Sequence, residues 1–334
     1  MSYIYYILGF GLTIFTIIDV IWTTLWIDGG AGPLSKRVAH GTWRIVEKVL
    51  GKKNKLLTLV GPIVLMATLL SWVIFMWAGY TLFFAGDTGS IVDSSNMRPI
   101  GWTDRLYFTG YTIFTLGIGD FTPKPGFWQV VTAFGSGIGI LFLTLGASYV
   151  INVVGAVVNK RSFARSISGL GMTSEEIMKA GWNGKDFHQL DLLLMNASAD
   201  ISKLTQQHQA YPLLHYYHSQ TPEEASAVGV AILDDLMTIL HYGLKDKDSV
   251  NAVLVKETRS SIETYLDTLT SAFVKPSESE PDRPDITRLF NMGIPFVKEE
   301  EFMRDLDTLS RRRQKLLGAV YSDNHDWPTH KKNQ

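Results

Sequence analysis

The chain has 334 residues, is 46% hydrophobic and carries a formal net charge of −1. It holds no cysteine, which excludes disulfides, thiolate catalysis and cysteine-based zinc sites. The near-neutral balance, with no basic stripe interleaved with aromatics in the polar half, gives nucleic acid no electrostatic footprint, so no such partner is expected.

The averages hide a division. Trp22, Trp26, Trp43, Trp72, Trp77, Trp102 and Trp128 lie within residues 1–158, among long apolar runs, while the mostly polar 159–334 keeps only Trp182 and Trp327. One membrane unit and one soluble unit are expected. Residues 4–27, 56–85 and 127–158 each supply the roughly 20 apolar positions a helix needs to cross the hydrocarbon layer.

The first of these opens with uncharged Met1-Ser2-Tyr3. A cleaved signal would begin with basic residues, so a retained helix is expected. Asp19 lies inside it. An acid at that depth is costly and marks a functional group or a buried partner. Pairing near the cytoplasmic end is the expectation here. Next come Lys36, Arg37, Arg44, Lys48, Lys52, Lys53 and Lys55, a loop that should stay in the cytoplasm. Residues 86–103 carry one basic residue, Arg98, and should face outside. Lys160, Arg161 and Arg165 follow the third span and again read as cytoplasmic. The expected topology is a multi-pass protein of the cell membrane, N-terminus outside and C-terminus inside.

Between the second and third spans, Trp102-Thr103-Asp104-Arg105 reads as a helix start, with Thr103 as cap and Asp104 against the positive end of the dipole. This helix should run to about Phe114, too short to span. Entering from outside, it aims its partially negative end at mid-membrane, where a cation is favoured. Thr115-Leu116-Gly117-Ile118-Gly119-Asp120 follows. Irregular backbone at membrane depth is tolerated where it lines a wet cavity. Glycine reaches positive φ freely, so glycines alternating with other residues can aim successive carbonyls at one axis. Asp120 at the outer mouth would concentrate cations.

Tyr107-Phe108 followed by Thr115-Leu116-Gly117-Ile118-Gly119-Asp120-Phe121-Thr122-Pro123 resembles the pore signature of potassium channels. The resemblance implies an all-α membrane protein in which residues 56–160 are a pore domain of outer helix, pore helix, filter and inner helix. Residues 1–55 add an N-terminal transmembrane helix with its basic cytoplasmic loop. It also implies that Thr115, Leu116, Gly117 and Ile118 bind potassium through their carbonyls, Thr115 also through its hydroxyl, with Gly119 closing the filter. Ile118 replaces the usual tyrosine and lacks its bracing hydroxyl, Phe114 stands where a second threonine is common, and Leu116 replaces valine. One such loop occurs, with no internal duplication. Because closed symmetry builds rings, a homotetramer in the lipid bilayer is expected. Potassium would be the transported species, with no cofactor. The alternatives are a weakly selective cation channel and a non-conducting membrane-anchored sensor or scaffold. No nucleophile–base–acid set marks an enzyme.

In the third span, Gly135 and Gly139 form a small-xxx-small pair suited to close packing. By the same resemblance, Gly139 stands at the gating-hinge position. Residues 161–320 read as a cytoplasmic helical domain. Helices are expected near 186–207, 249–273 and 298–320, with another from Thr221 to Tyr242 ending at Gly243. Thr173 and Glu176 resemble a capping box. Residues 275–285 read as a flexible linker and 321–334 as a disordered tail. Gly169-Leu170-Gly171 is not a dinucleotide fingerprint. His208, His215, His218 and His241 read as satisfied or solvated, with metal binding or proton sensing as the alternative.

Overall fold

The computed structural model describes residues 2–51, 55–95 and 100–329; Lys52, Lys53, Arg98 and the last part of the expected tail, 330–334, lie outside them. Helix α1 spans Ser2–Leu25, α3 Val60–Ala85 and α5 Phe127–Ser168. All three are long and apolar enough to cross a membrane. At ~1.5 Å per residue α1 is about 36 Å long and α5 about 63 Å, roughly twice the hydrocarbon thickness. The last ten residues of α5, beyond Val158, carry Lys160, Arg161 and Arg165, so the helix continues where charge is tolerated.

The chain divides into two compact units, residues 1–48, 62–153 and 210–213 in one, and 49–61, 154–209 and 214–334 in the other. In the first, α1 packs on α3 at two glycines. A Cβ on Gly9 would sit 2.4 Å from the Phe83 amide nitrogen, and one on Gly79 2.6 Å from Thr13 Oγ1. Small residues allow such close backbone approach where no hydrophobic force separates helix from lipid.

The basic loop is largely a helix, α2, Pro33–Leu50. Asp19 explains where it begins. Its fully buried carboxylate accepts from Leu34 N at 2.7 Å, Ser35 Oγ at 2.5 Å and Trp72 Nε1 at 2.9 Å. The expected pairing is therefore with helix amides, a hydroxyl and an indole. One acid caps α2 and links α1 to α3.

Helix α4 spans Trp102–Ile113. Thr103 does not cap it: Gly101 occupies the cap, and Asp104 reaches back to accept from Gly101 N at 2.9 Å. Strands β1, Ile91–Asp93, and β2, Phe121–Pro123, pair antiparallel, Val92 opposite Thr122. The core here is aromatic. Tyr80, Phe84, Phe108, Tyr111, Phe121 and Trp128 are buried together, with the Phe84 and Trp128 rings 4.8 Å apart.

The second unit is helical: α6 Ser174–Gly181, α7 Asp191–Ala210, α8 Ser226–Thr238, α9 Ala252–Ala272, α10 Glu299–Asp307 and α11 Ser310–Ser322. Every residue of α8 is buried, as expected of a helix apolar on nearly all faces. The expected helix from Thr221 is instead a short turn, Pro222–Glu224, then a break at Ala225 before α8 and a wide π-type turn, Ile239–Gly243. The Thr221 side chain makes no capping bond. The helix expected over 298–320 is two, divided at Thr308 and Leu309. Thr173 does cap α6, accepting from Glu176 N at 3.3 Å, but Glu176 reaches Met172 N at 2.7 Å rather than the cap amide.

Two segments read as loose chain make specific contacts among the described residues. Residues 275–285 form a strap on α11: Ser277 N donates to Gln314 O at 2.9 Å and Arg313 Nη2 to Asp282 O at 2.7 Å. Beyond Ser322, Asp323 is buried, 3.5 Å from Lys160 Nζ and 3.2 Å from His218 Nδ1, and Arg313 lies over the Trp327 ring. The polar composition that suggested loose chain is spent on these specific bonds.

Candidate functional site

Helix α4 ends with its last carbonyls occupied. Phe114 N donates to Gly110 O at 2.9 Å, Thr115 N to Thr112 O at 3.1 Å, and Leu116 N reaches back to Tyr111 O at 2.8 Å. The backbone then changes hand at every second residue. Its φ is 58° at Thr115, 59° at Gly117 and 87° at Gly119, while Leu116 and Ile118 stay outside the positive region. Alternating hands can turn successive peptide planes the same way, so that backbone dipoles line one concavity. Glycine adopts positive φ without steric cost. Thr115 does not: a β-branched residue held there costs about 1–3 kcal/mol and persists only where its surroundings impose it. The bonds from Thr115 N and Leu116 N do so here.

Among the described residues, no donor engages the carbonyls of Thr115, Leu116, Gly117 or Ile118. Gly119 is different. Its carbonyl accepts from the Ser94 hydroxyl at 3.1 Å, and Ser94 N donates to Asp120 O at 3.0 Å. Four carbonyls are thus unengaged and the fifth is tied to the ribbon. All residues from Phe114 to Asp120 are exposed on the single chain. Leu116 is 65% and Ile118 52% exposed, apolar surface that the chain does not cover by itself. The Asp120 carboxylate accepts from Phe121 N at 3.0 Å and is exposed beside the segment.

The surroundings hold this segment firmly. The Tyr111 hydroxyl donates to the Phe121 carbonyl, so the short helix grips the chain just past Thr115–Asp120. The β1–β2 ribbon fixes the same stretch from the other side. Buried Arg105 donates to Thr88 O at 3.1 Å, holding the preceding loop to α4. Ile118 carries no hydroxyl, and Tyr111 and Ser94 brace the segment instead. Sequence reasoning missed Ser94, Tyr111 and Arg105. Ser94 and Arg105 act across loops with no local pattern, whereas Tyr111 had one signal, its place three residues after Phe108 on the buried face of the short helix.

Helix α5 seats the end of α4. A Cβ on Gly139 would lie 1.9 Å from the Ile113 carbonyl oxygen, and the Ser136 hydroxyl donates to Thr112 O at 3.1 Å. Gly139 is thus a contact glycine inside an unbroken helix. Gly135 meets the Tyr80 ring, 2.4 Å from a built Cβ. The close-packing reading of the pair has direct support in these distances.

The histidines fall elsewhere. His208 and His218 are buried; a His208 ring nitrogen lies 3.0 Å from Leu204 O and His218 Nδ1 3.2 Å from Asp323 Oδ1. His241 is exposed. Among the described residues, no group of histidine and acidic side chains is placed to hold a metal.

Residues 67–156 match a family described as "Ion channel". The chain is 41% identical over 324 residues to the Bacillus subtilis (strain 168) protein described as "Uncharacterized membrane protein YdjJ", an alignment covering 97% of this chain and 95% of that one. No solved structure matches.

Proposed function

We propose that this chain, which belongs to the pore-loop ion-channel family and is a membrane protein, conducts potassium passively through a pore made by four copies of residues 103–123. The observation that carries the reading is the alternation of backbone hand over Thr115–Gly119, with four unengaged carbonyls. Four such segments around an axis would stack rings of carbonyl oxygens that replace the hydration shell of a bare monovalent cation. Thr115 would add its hydroxyl at the inner end and Asp120 an acidic ring at the outer mouth. The C-terminal end of α4 contributes partial negative charge toward the cavity. Exposed Leu116 and Ile118 favour assembly, since a ring of copies would cover them. The charge distribution supports an N-terminus outside and a C-terminus in the cytoplasm. Gly139, seated on Ile113, would transmit any bend of α5 to the filter's base.

A weakly selective cation pore is the second reading, favoured by the missing hydroxyl at Ile118. Purified protein in planar bilayers distinguishes the two. With potassium on one side and sodium on the other, the first reading predicts a strongly displaced reversal potential, the second one near zero. Folded tetramers that pass no ion across a range of voltage and pH would overturn both and leave a scaffold.

A further inference from the structure

Helix α2 has three faces. Leu34, Ser35 and Ala39 are buried. Lys36, Arg37, His40, Arg44 and Lys48 are exposed; at ~100° per residue they share one arc of the helix. Glu47, the helix's single acid, lies on the same arc against four fixed cations. Beside the arc runs an apolar strip on which Ile45 is 66% and Val49 75% exposed. A basic arc bordering exposed aliphatics is the pattern of a helix lying in a bilayer interface.

Its placement agrees. The Trp22 and Trp26 rings meet at a tilt near the end of α1, centroids 4.9 Å apart, and Trp26 is 55% exposed. Tryptophans gather at the headgroup level. The bonds from Leu34 N and Ser35 to Asp19 tie the start of α2 to the last two turns of α1, at that same level.

We propose that α2 lies in the headgroup layer and binds anionic phospholipid through Lys36, Arg37, Arg44 and Lys48. The inference rests on the chain spanning a bilayer and not on conduction. Ile45 and Val49 enter the acyl boundary while the cations hold phosphate. Neutral phospholipid offers the same phosphate without net charge, so the anionic headgroup is what four cations select. Through Asp19 and Trp72 the lipid contact reaches α1 and α3 directly.

The chain's lack of cysteine allows a clean test on the full-length protein. Single-cysteine variants at Ile45, at Phe10 in α1 and at Met195 in the helical unit carry an environment-sensitive fluorophore in phosphatidylcholine vesicles, with or without phosphatidylglycerol. Nitroxides on lipid headgroups should quench the Ile45 label most, deep nitroxides the Phe10 label, and aqueous iodide the Met195 label. Lipid exchange should show preferred phosphatidylglycerol binding that salt weakens, falling about five-fold for each of the four cations changed to glutamine. If those variants misfold, the salt-sensitive preference of the unaltered chain still decides. An Ile45 label quenched by iodide alone, or equal binding of the two lipids, overturns the proposal. Failure to conduct leaves these readouts unaffected.

Discussion

Two glycines illustrate different physical demands at the residue scale. Gly117 has no atom within 4 Å of a built Cβ, but its φ is 59°. Gly139 has ordinary helical backbone and a carbonyl oxygen 1.9 Å from the same built atom. Gly117→Ala should therefore change local backbone at a cost of about 1–2 kcal/mol, abolishing conduction while purification and assembly survive. Gly139→Ala must displace α5 from α4, costing about 1–3 kcal/mol or more, and should lower thermal stability in detergent along with conduction. Size-exclusion profiles, melting curves and flux on the two variants separate these effects. A Gly139→Ala protein as stable as the parent would contradict the seat described for α5. The glycines were legible as a pattern, but which needs its hand and which its smallness required the neighbours.

Among the elements, the membrane helices were readable because a bilayer demands length and apolarity that no short-range exception disguises. α4 was readable from its position and acid, though Thr103 was mistaken for its cap because the glycine before it offered no side-chain signal. α2 was hidden by its own chemistry: an interfacial helix spends polar and basic residues on one face, and those look like a loop when only long apolar runs are sought. The ribbon of β1 and β2 was also unforeseen, since three-residue strands have no period to detect. Its mechanical role is testable. Ser94→Ala removes the donor to Gly119 O, and Tyr111→Phe the donor to Phe121 O. Each neutral bond contributes about 0.5–1.5 kcal/mol. The double variant is expected to conduct with reduced potassium preference, measured as a reversal potential moved toward zero in mixed potassium and sodium. Unaltered selectivity would mean that the brace lies elsewhere.

For the whole molecule, the two-part organisation was visible in composition, but the packing of the helical unit was not. His208, Lys160 and Asp323 come from distant segments to share one buried neighbourhood. Burial, aided by Lys160, lowers the His208 pKa to about 4, and burial, with the other histidines and Lys160, lowers that of His215 to about 3. Both rings are neutral in the fold. Below the ordinary histidine value of about 6.5 the unfolded chain binds protons that the folded chain refuses. Their contribution is complete above that value and is lost as pH falls toward about 4, each histidine removing up to about 1.4 kcal/mol per pH unit. The melting temperature of the detergent-solubilised protein should drop between pH 7 and pH 5 by this route. Replacing both with asparagine should flatten that limb. An equal slope in parent and variant would place the acid sensitivity in other groups.

The Asp19 carboxylate has a consequence for any attempt to shorten the chain. Excising the first helix to leave only α3, α4, the segment after it and α5 removes more than an anchor. The amides of Leu34 and Ser35 and the indole of Trp72 would lose their common acceptor, and the notch at Gly79 would open to lipid tails. Such a truncate should fail to accumulate or should lose the proposed four-copy assembly on blue-native gels. A truncate that assembles normally would mean the founding helix is dispensable cargo rather than a keystone.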